Sequence, residues 1–124
     1  KIFIKNIFEN SGKVFELSED YLDIFLALTS SAPAIIALII DALGDGGLSG
    51  GLTKKLSEEL VIDMIIGTVL MMKDLDVSPS ELKNMVTSPA GTTIAALRIL
   101  EKKGLRSALI ESIMGAMNKS KEFK

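Results

Sequence analysis

Residues 60–72 read LVIDMIIGTVLMM, and residues 34–43 read AIIALIIDAL. Both are helical lengths of apolar side chains. A surface helix confines its apolar residues to one stripe, but here they run round nearly the whole circumference, so each helix must be covered on every side. A chain of 124 residues is one domain by length and can build a real core. It has little left over to surround two such helices. A second copy would supply the cover, so the pattern predicts an intimate homodimer built on helices 35–43 and 60–72.

A lipid bilayer is the other environment that would cover them. Residues 24–43, IFLALTSSAPAIIALIIDAL, are 20 residues with a single acid, which is long enough to span. Pro33 and the serines stand at mid-span, Asp41 and Asp63 interrupt the apolar runs, and the flanks lack the charge asymmetry of a membrane protein. The expectation is no membrane.

Outward from these two stretches, everything from Ser18 onward reads as helix. Ser18, Glu19 and Asp20 make an acidic start, with Tyr21, Ile24, Phe25 and Leu28 at helical spacing. TSSAPA, residues 29–34, reads as a helix break with Pro33 in the first turn of the next helix. GDGGLSGGL, residues 44–52, reads as a glycine-rich loop. Thr53 caps a long helix to about Lys73, and Ser78-Pro79-Ser80-Glu81 opens a short one ending near Val86. IAALRILEKKG follows, closed by Gly104. The last helix places Leu105, Leu109, Ile113 and Met117 on one stripe. The fold class is all-α, about six helices over residues 18–124.

The front differs. KIFIKNIFEN reads as an ambiguous short helix, and KVFEL alternates like a strand. Helix and strand together cannot form a sheet, so residues 1–17 look like the end of another domain. With no initiator Met and no signal peptide at the start, the chain reads as a piece of a longer protein.

With no Cys and no His, the chain has no disulfides, thiolate nucleophiles, zinc sites or imidazole bases. No metal site is expected, and a reducing compartment is permitted. Residues 18–76 hold ten acids against three bases, and residues 81–124 hold eight bases against four acids. The mildly basic end has one aromatic, Phe123, which is no platform for stacking, so no nucleic acid is expected.

Residues 87–93, TSPAGTT, carry more hydroxyl groups than a turn requires. If a helix starts near Thr92, then Ser88, Thr92 and Thr93 surround an N-terminus whose first N–H groups lack partners and favour an anion. Gly91 lets a ligand approach the backbone. The plainer alternative is that Ser88 and Thr92 cap the helix and Pro89 fixes the turn, which is the commoner use of such residues. Asp76, Lys83 and Asn84 lie nearby in sequence, where a solvated surface is the simpler reading.

The string ELKNMVTSPAGTTIAALRILEKKGLRSALIES closely resembles the signature region of the pyrroline-5-carboxylate reductases. Lys83, Val86, Ser88, Pro89, Gly91, Thr93, Leu97, Leu100, Glu101, Gly104, Arg106 and Ser107 stand where that family has them, and the similarity covers roughly residues 14–122. The resemblance implies a C-terminal dimerisation and substrate-binding domain, possessing in its full-length form an N-terminal Rossmann domain of which residues 1–17 are the last helix and strand. It implies reduction of a cyclic imine to proline with NADPH or NADH, in the cytoplasm, by a homodimer or a higher oligomer.

Its implied site has the substrate carboxylate on Ser88, Gly91 and Thr92, with the Thr93 hydroxyl on the imine nitrogen as the catalytic contact. Asp76 lies near the pocket, and Ser31 and Pro33 border the nicotinamide. Ala90, Ser30 and Ala32 occupy positions where relatives carry glycine. An alanine at a positive φ would cost about 1 kcal/mol. The fragment alone is expected to be inactive. The rival readings are a non-catalytic helical dimer with a structural TSPAGTT turn, or a reductase of another cyclic imine.

Overall fold

The computed structural model describes residues 2–5, 14–87 and 91–123. The chain divides into two compact units, Lys1–Ile36 with Arg106–Lys124, and Ala37–Leu105. Six α-helices are described, so the expected all-α class holds.

In the first unit, β1 (Ile2–Lys5) pairs antiparallel with β2 (Val14–Leu17), Ile2 opposite Leu17 and Lys5 opposite Val14. The start of the chain, read as helix, is therefore extended over Ile2–Lys5. The apolar–aromatic run IFI suits a pleated ladder, and β2 satisfies its backbone groups. The Ser18 hydroxyl accepts from the Asp20 N–H at 3.4 Å and opens a 3-10 turn over Glu19–Tyr21, followed by α1 (Leu22–Leu26). The Phe15 and Phe25 rings meet at 5.9 Å between centroids.

TSSAPA does not break the helix as expected. The backbone passes through a wide π turn over Ala27–Ser31 straight into α2 (Ala32–Ser49). Pro33 removes one helical N–H, and the turn, with its bonds reaching five residues back, absorbs that loss. Ala32 N–H bonds Ala27 O in this register, and Thr29 Oγ1 donates to Phe25 O at 2.8 Å. Ser30 and Ala32 carry no strain, because Asp76 is the one non-glycine residue at positive φ among those described. The last helix, α6 (Leu105–Glu122), half-buries Leu109, Ile113 and Met117, the expected stripe, while Leu105 stays exposed. Near its end, Ser120 Oγ donates to Oδ1 of the buried Asp23 at 2.7 Å, across 97 residues of chain.

In the second unit, the glycine-rich stretch expected as a loop is helical as far as Ser49, and only Gly50 and Gly51 turn. Gly51, at φ 107°, ends α2 in the left-handed region, with Leu52 N–H bonded to Gly47 O at 3.0 Å. The glycines inside the helix serve a close crossing. A Cβ on Gly47 would lie 2.7 Å from that of Ser57, and one on Gly44 3.0 Å from Glu58 Cγ. Thr53 caps α3 (Lys54–Leu75), its hydroxyl accepting from Leu56 N–H at 3.1 Å.

α3 ends at Asp76, which is left-handed at φ 51°. Asp76 N–H reaches Lys73 O at 3.3 Å, and Val77 N–H reaches Met72 O at 3.2 Å. A full capping box between Ser78 and Glu81 opens α4 (Pro79–Met85). α5 (Thr92–Lys102) closes at Gly104, at φ 79°.

The apolar surface is largely open. Among the described residues only Ala27 and Leu82 are buried apolar side chains. On α3, Val61, Ile65 and Met72 are half-covered by their own chain. Leu60 and Ile66 remain 53% and 50% exposed, and Leu38 on α2 67%. The continuous helical segment Glu19–Ser49 is long and apolar enough to cross a membrane by length and composition.

Candidate functional site

α5 begins at Gly91, which is extended at φ −84°, ψ 174° and has no side chain to cap the helix. Thr92 is thus the first helical residue, where the sequence suggested it as a cap. The helix closes there with Ala95 N–H bonded to Gly91 O at 3.4 Å. The amides of Thr92, Thr93 and Ile94 precede any carbonyl they could reach within the helix. A helix end whose own N-cap residue gives no side-chain cap presents donors and a positive partial charge in one direction, which suits a carboxylate.

Thr92 is exposed, whereas Thr93 is half-buried on the side of α5 that carries Ile94 and Leu97. The two neighbouring threonines therefore differ: Thr92 is open to solvent and Thr93 is half-covered. The first threonine of the stretch, Thr87, is already engaged, since its Oγ1 donates to Lys83 O at 2.6 Å and ties off the end of α4. Ser88, Pro89 and Ala90 lie outside the described residues.

Asp76 is exposed in the same unit, at the end of α3. Lys83 and Asn84 are exposed on α4, as the plainer reading held. Ser31 and Pro33 are exposed at the end of the wide turn and belong to the first unit.

A nicotinamide dinucleotide makes two demands on a protein. Its diphosphate needs a glycine turn between a strand and a helix N-terminus. Here β2 runs into Ser18 and an acidic turn bearing Glu19 and Asp20, which repels a diphosphate. The wide turn, with Ser30 and Ser31 exposed beside Pro33, does suit the carboxamide end. Among the described residues nothing therefore fits the diphosphate, and Ser30 and Ser31 offer exposed hydroxyls at the wide turn.

Two interactions had no simple signal in the sequence. Lys54 Nζ donates to Asp41 Oδ1 at 2.9 Å, to Asp41 O at 3.0 Å and to Asp45 Oδ1, with Glu58 at 3.8 Å. These hydrogen bonds to Asp41 and then to Asp45 hold the pKa of its ammonium well above the ordinary lysine range. The four-residue spacing of Asp41 and Asp45 marks a helix face but does not name Lys54 as its partner. Asp23 and Ser120 are too far apart in the chain for any local pattern to join them.

The family model described as pyrroline-5-carboxylate reductase dimerisation matches residues 19–123. A pyrroline-5-carboxylate reductase of Synechocystis is 41% identical over 119 residues, covering 96% of this chain and 45% of the relative. The crystal structure of a Plasmodium falciparum pyrroline carboxylate reductase with NADP bound aligns at a TM-score of 0.83 and 35% identity, over 87% of this chain and 44% of that one. A 1-pyrroline-5-carboxylate reductase from Streptococcus pyogenes aligns at 0.84 and 35%, over 87% and 42%. The chain thus spans somewhat under half the length of the relatives it matches.

Proposed function

The chain belongs to the pyrroline-5-carboxylate reductase dimerisation family, and we propose that it is the dimerising, substrate-binding part of an enzyme that reduces 1-pyrroline-5-carboxylate to L-proline with NADPH or NADH. The match of the family model over residues 19–123 carries this reading. In it, residues 1–17 close a preceding dinucleotide-binding domain that holds the diphosphate, and residues 18–124 supply the dimer interface and the substrate pocket. The whole enzyme works in the cytoplasm as a homodimer or a larger ring of dimers.

The bound nicotinamide supplies the hydride for the C=N bond. This chain's share is orientation and desolvation. The substrate carboxylate sits on the open amides at the start of α5, with Ser88, Gly91 and Thr92 completing its hydrogen bonds. The half-buried hydroxyl of Thr93 is directed to the ring nitrogen, Asp76 lies at the rim, and Ser31 and Pro33 border the nicotinamide. With neither His nor Cys in the chain, this part of the enzyme brings no imidazole or thiol to the proton transfer.

The homodimer draws support from the uncovered apolar surface of α2 and α3. Two copies meeting over helices 35–43 and 60–72 cover what one copy leaves open. The same contact accounts for the long apolar helix without a membrane.

The test follows nicotinamide oxidation by the full-length reductase with 1-pyrroline-5-carboxylate, comparing wild type with Thr93→Ala. The expected outcome is a fall in kcat/KM of roughly tenfold to a hundredfold with folding intact. Unchanged turnover returns Thr93 to a packing role. No turnover in the wild type removes the substrate and directs attention to other cyclic imines.

A further inference from the structure

Asp23 is a carboxylate 4% exposed, and burying such a group is costly unless it is held by hydrogen bonds. One of its holders comes from the far end of the chain, Ser120 Oγ at 2.7 Å. The location of Asp23 gives this contact a purpose. Its own backbone carbonyl accepts, together with that of Ile24, from Ala27 N–H. That bifurcated bond, reaching four and three residues back, holds Ala27, the first residue of the wide turn. By Ala32, whose N–H bonds Ala27 O, the wide register is complete.

Asp23 is therefore held by its side chain from α6, while its carbonyl takes the four-residue bond that anchors Ala27 just ahead of the wide turn, and both elements belong to the first unit. Where a π turn begins decides which way every later side chain points, because one extra residue per turn rotates the following helix. Ser31 closes this turn, and Pro33 follows it by two residues.

We propose that Ser120 is a positioning residue: its hydrogen bond to Asp23 fixes where the wide turn starts, and so sets the orientation of Ser31 and Pro33 toward the nicotinamide. The assignment of that turn to the nicotinamide rests on the function proposed above. The clamp itself does not, and it acts through the backbone of α1 without touching substrate or cofactor.

The experiment uses the full-length reductase with Ser120→Ala, with Ser120→Thr to retain the hydroxyl. Two readouts are taken: hydrogen exchange at the amides of residues 27–32, and the separate kcat and KM values for the dinucleotide. Ser120→Ala is expected to speed exchange over that turn and to raise the dinucleotide KM about five- to tenfold, the share one hydrogen bond to a buried carboxylate can carry. The kcat at saturation should stay within about twofold, and Ser120→Thr should behave as wild type in both readouts.

A lower melting temperature with unchanged KM and unchanged exchange at residues 27–32 would make the contact merely structural and overturn the proposal. If wild type shows no turnover with 1-pyrroline-5-carboxylate, the functional reading fails. Exchange at the turn then still decides the clamp.

Discussion

Gly47 and Ser57 occupy each other's side-chain space: a Cβ on Gly47 would lie 2.7 Å from the Ser57 Cβ and closer still to its hydroxyl. Ser57 cannot retreat easily. It is buried, and its Oγ donates to Thr53 O at 2.9 Å at the start of α3. Gly47→Ala should destabilise the chain by about 1–3 kcal/mol through overpacking, although alanine is the better helix former. Gly115 on α6, where an added Cβ meets nothing within 4 Å, is the control. Gly115→Ala should gain up to about 1 kcal/mol. Thermal unfolding of both variants checks the opposite signs.

Lys54 gathers Asp41 and Asp45 across the same crossing. Its raised pKa means that the folded state holds the lysine proton more tightly than the unfolded chain does. The stabilisation is fully present below the unfolded lysine value of about 10.4 and is lost as pH rises through the folded value. Wild type should therefore lose more stability between pH 8 and pH 11 than Lys54→Met does. Urea midpoints at the two pH values measure the difference, and equal losses would dismiss the ion pairs as a source of stability.

Asp76 holds a left-handed conformation at φ 51°, where glycine is better suited. Asp76→Gly should stabilise by about 1 kcal/mol and raise the melting temperature by several degrees. Under the function proposed above, the same change in the full-length reductase should lower kcat/KM, because the carboxylate assigned to the pocket rim is lost. A gain in stability with unchanged kinetics would leave Asp76 as a helix terminator alone.

The uncovered apolar faces of α2 and α3 predict a solution mass near twice the 13.3 kDa of one chain. A mass near a single chain at micromolar concentration, by light scattering, would rule out the interface. Ile66 is 50% exposed in one copy. Ile66→Asp would bury an unpaired charge between two copies and should weaken association by more than about a hundredfold.

The sequence was most legible where a structural device is local. Thr53, the Ser78–Glu81 pair and Gly104 stand within four residues of the groups they serve, and each was readable in advance. Legibility failed where the deciding partner lies elsewhere. Gly44 and Gly47 look like loop glycines until α3 crosses them. TSSAPA looks like a break because proline usually makes one, and the wide register that accommodates it depends on hydrogen bonds no motif announces. Ile2–Lys5 became a strand because β2 was available to pair with it. At the site, the start of α5 was legible to within a residue. The different surroundings of Thr92 and Thr93 were not, since they depend on which face of α5 is covered.

Those local devices also bear on the order of events. Thr53, Asp76, Ser78 and Gly104 set the ends of α3, α4 and α5 without help from distant chain. Helices bounded in this way can form within about a microsecond of one another, before any large apolar surface is covered. For the proposed homodimer, the slow step in regaining the native state is then the meeting of two chains. Such a step is second order, so diluting the protein should slow its recovery in proportion.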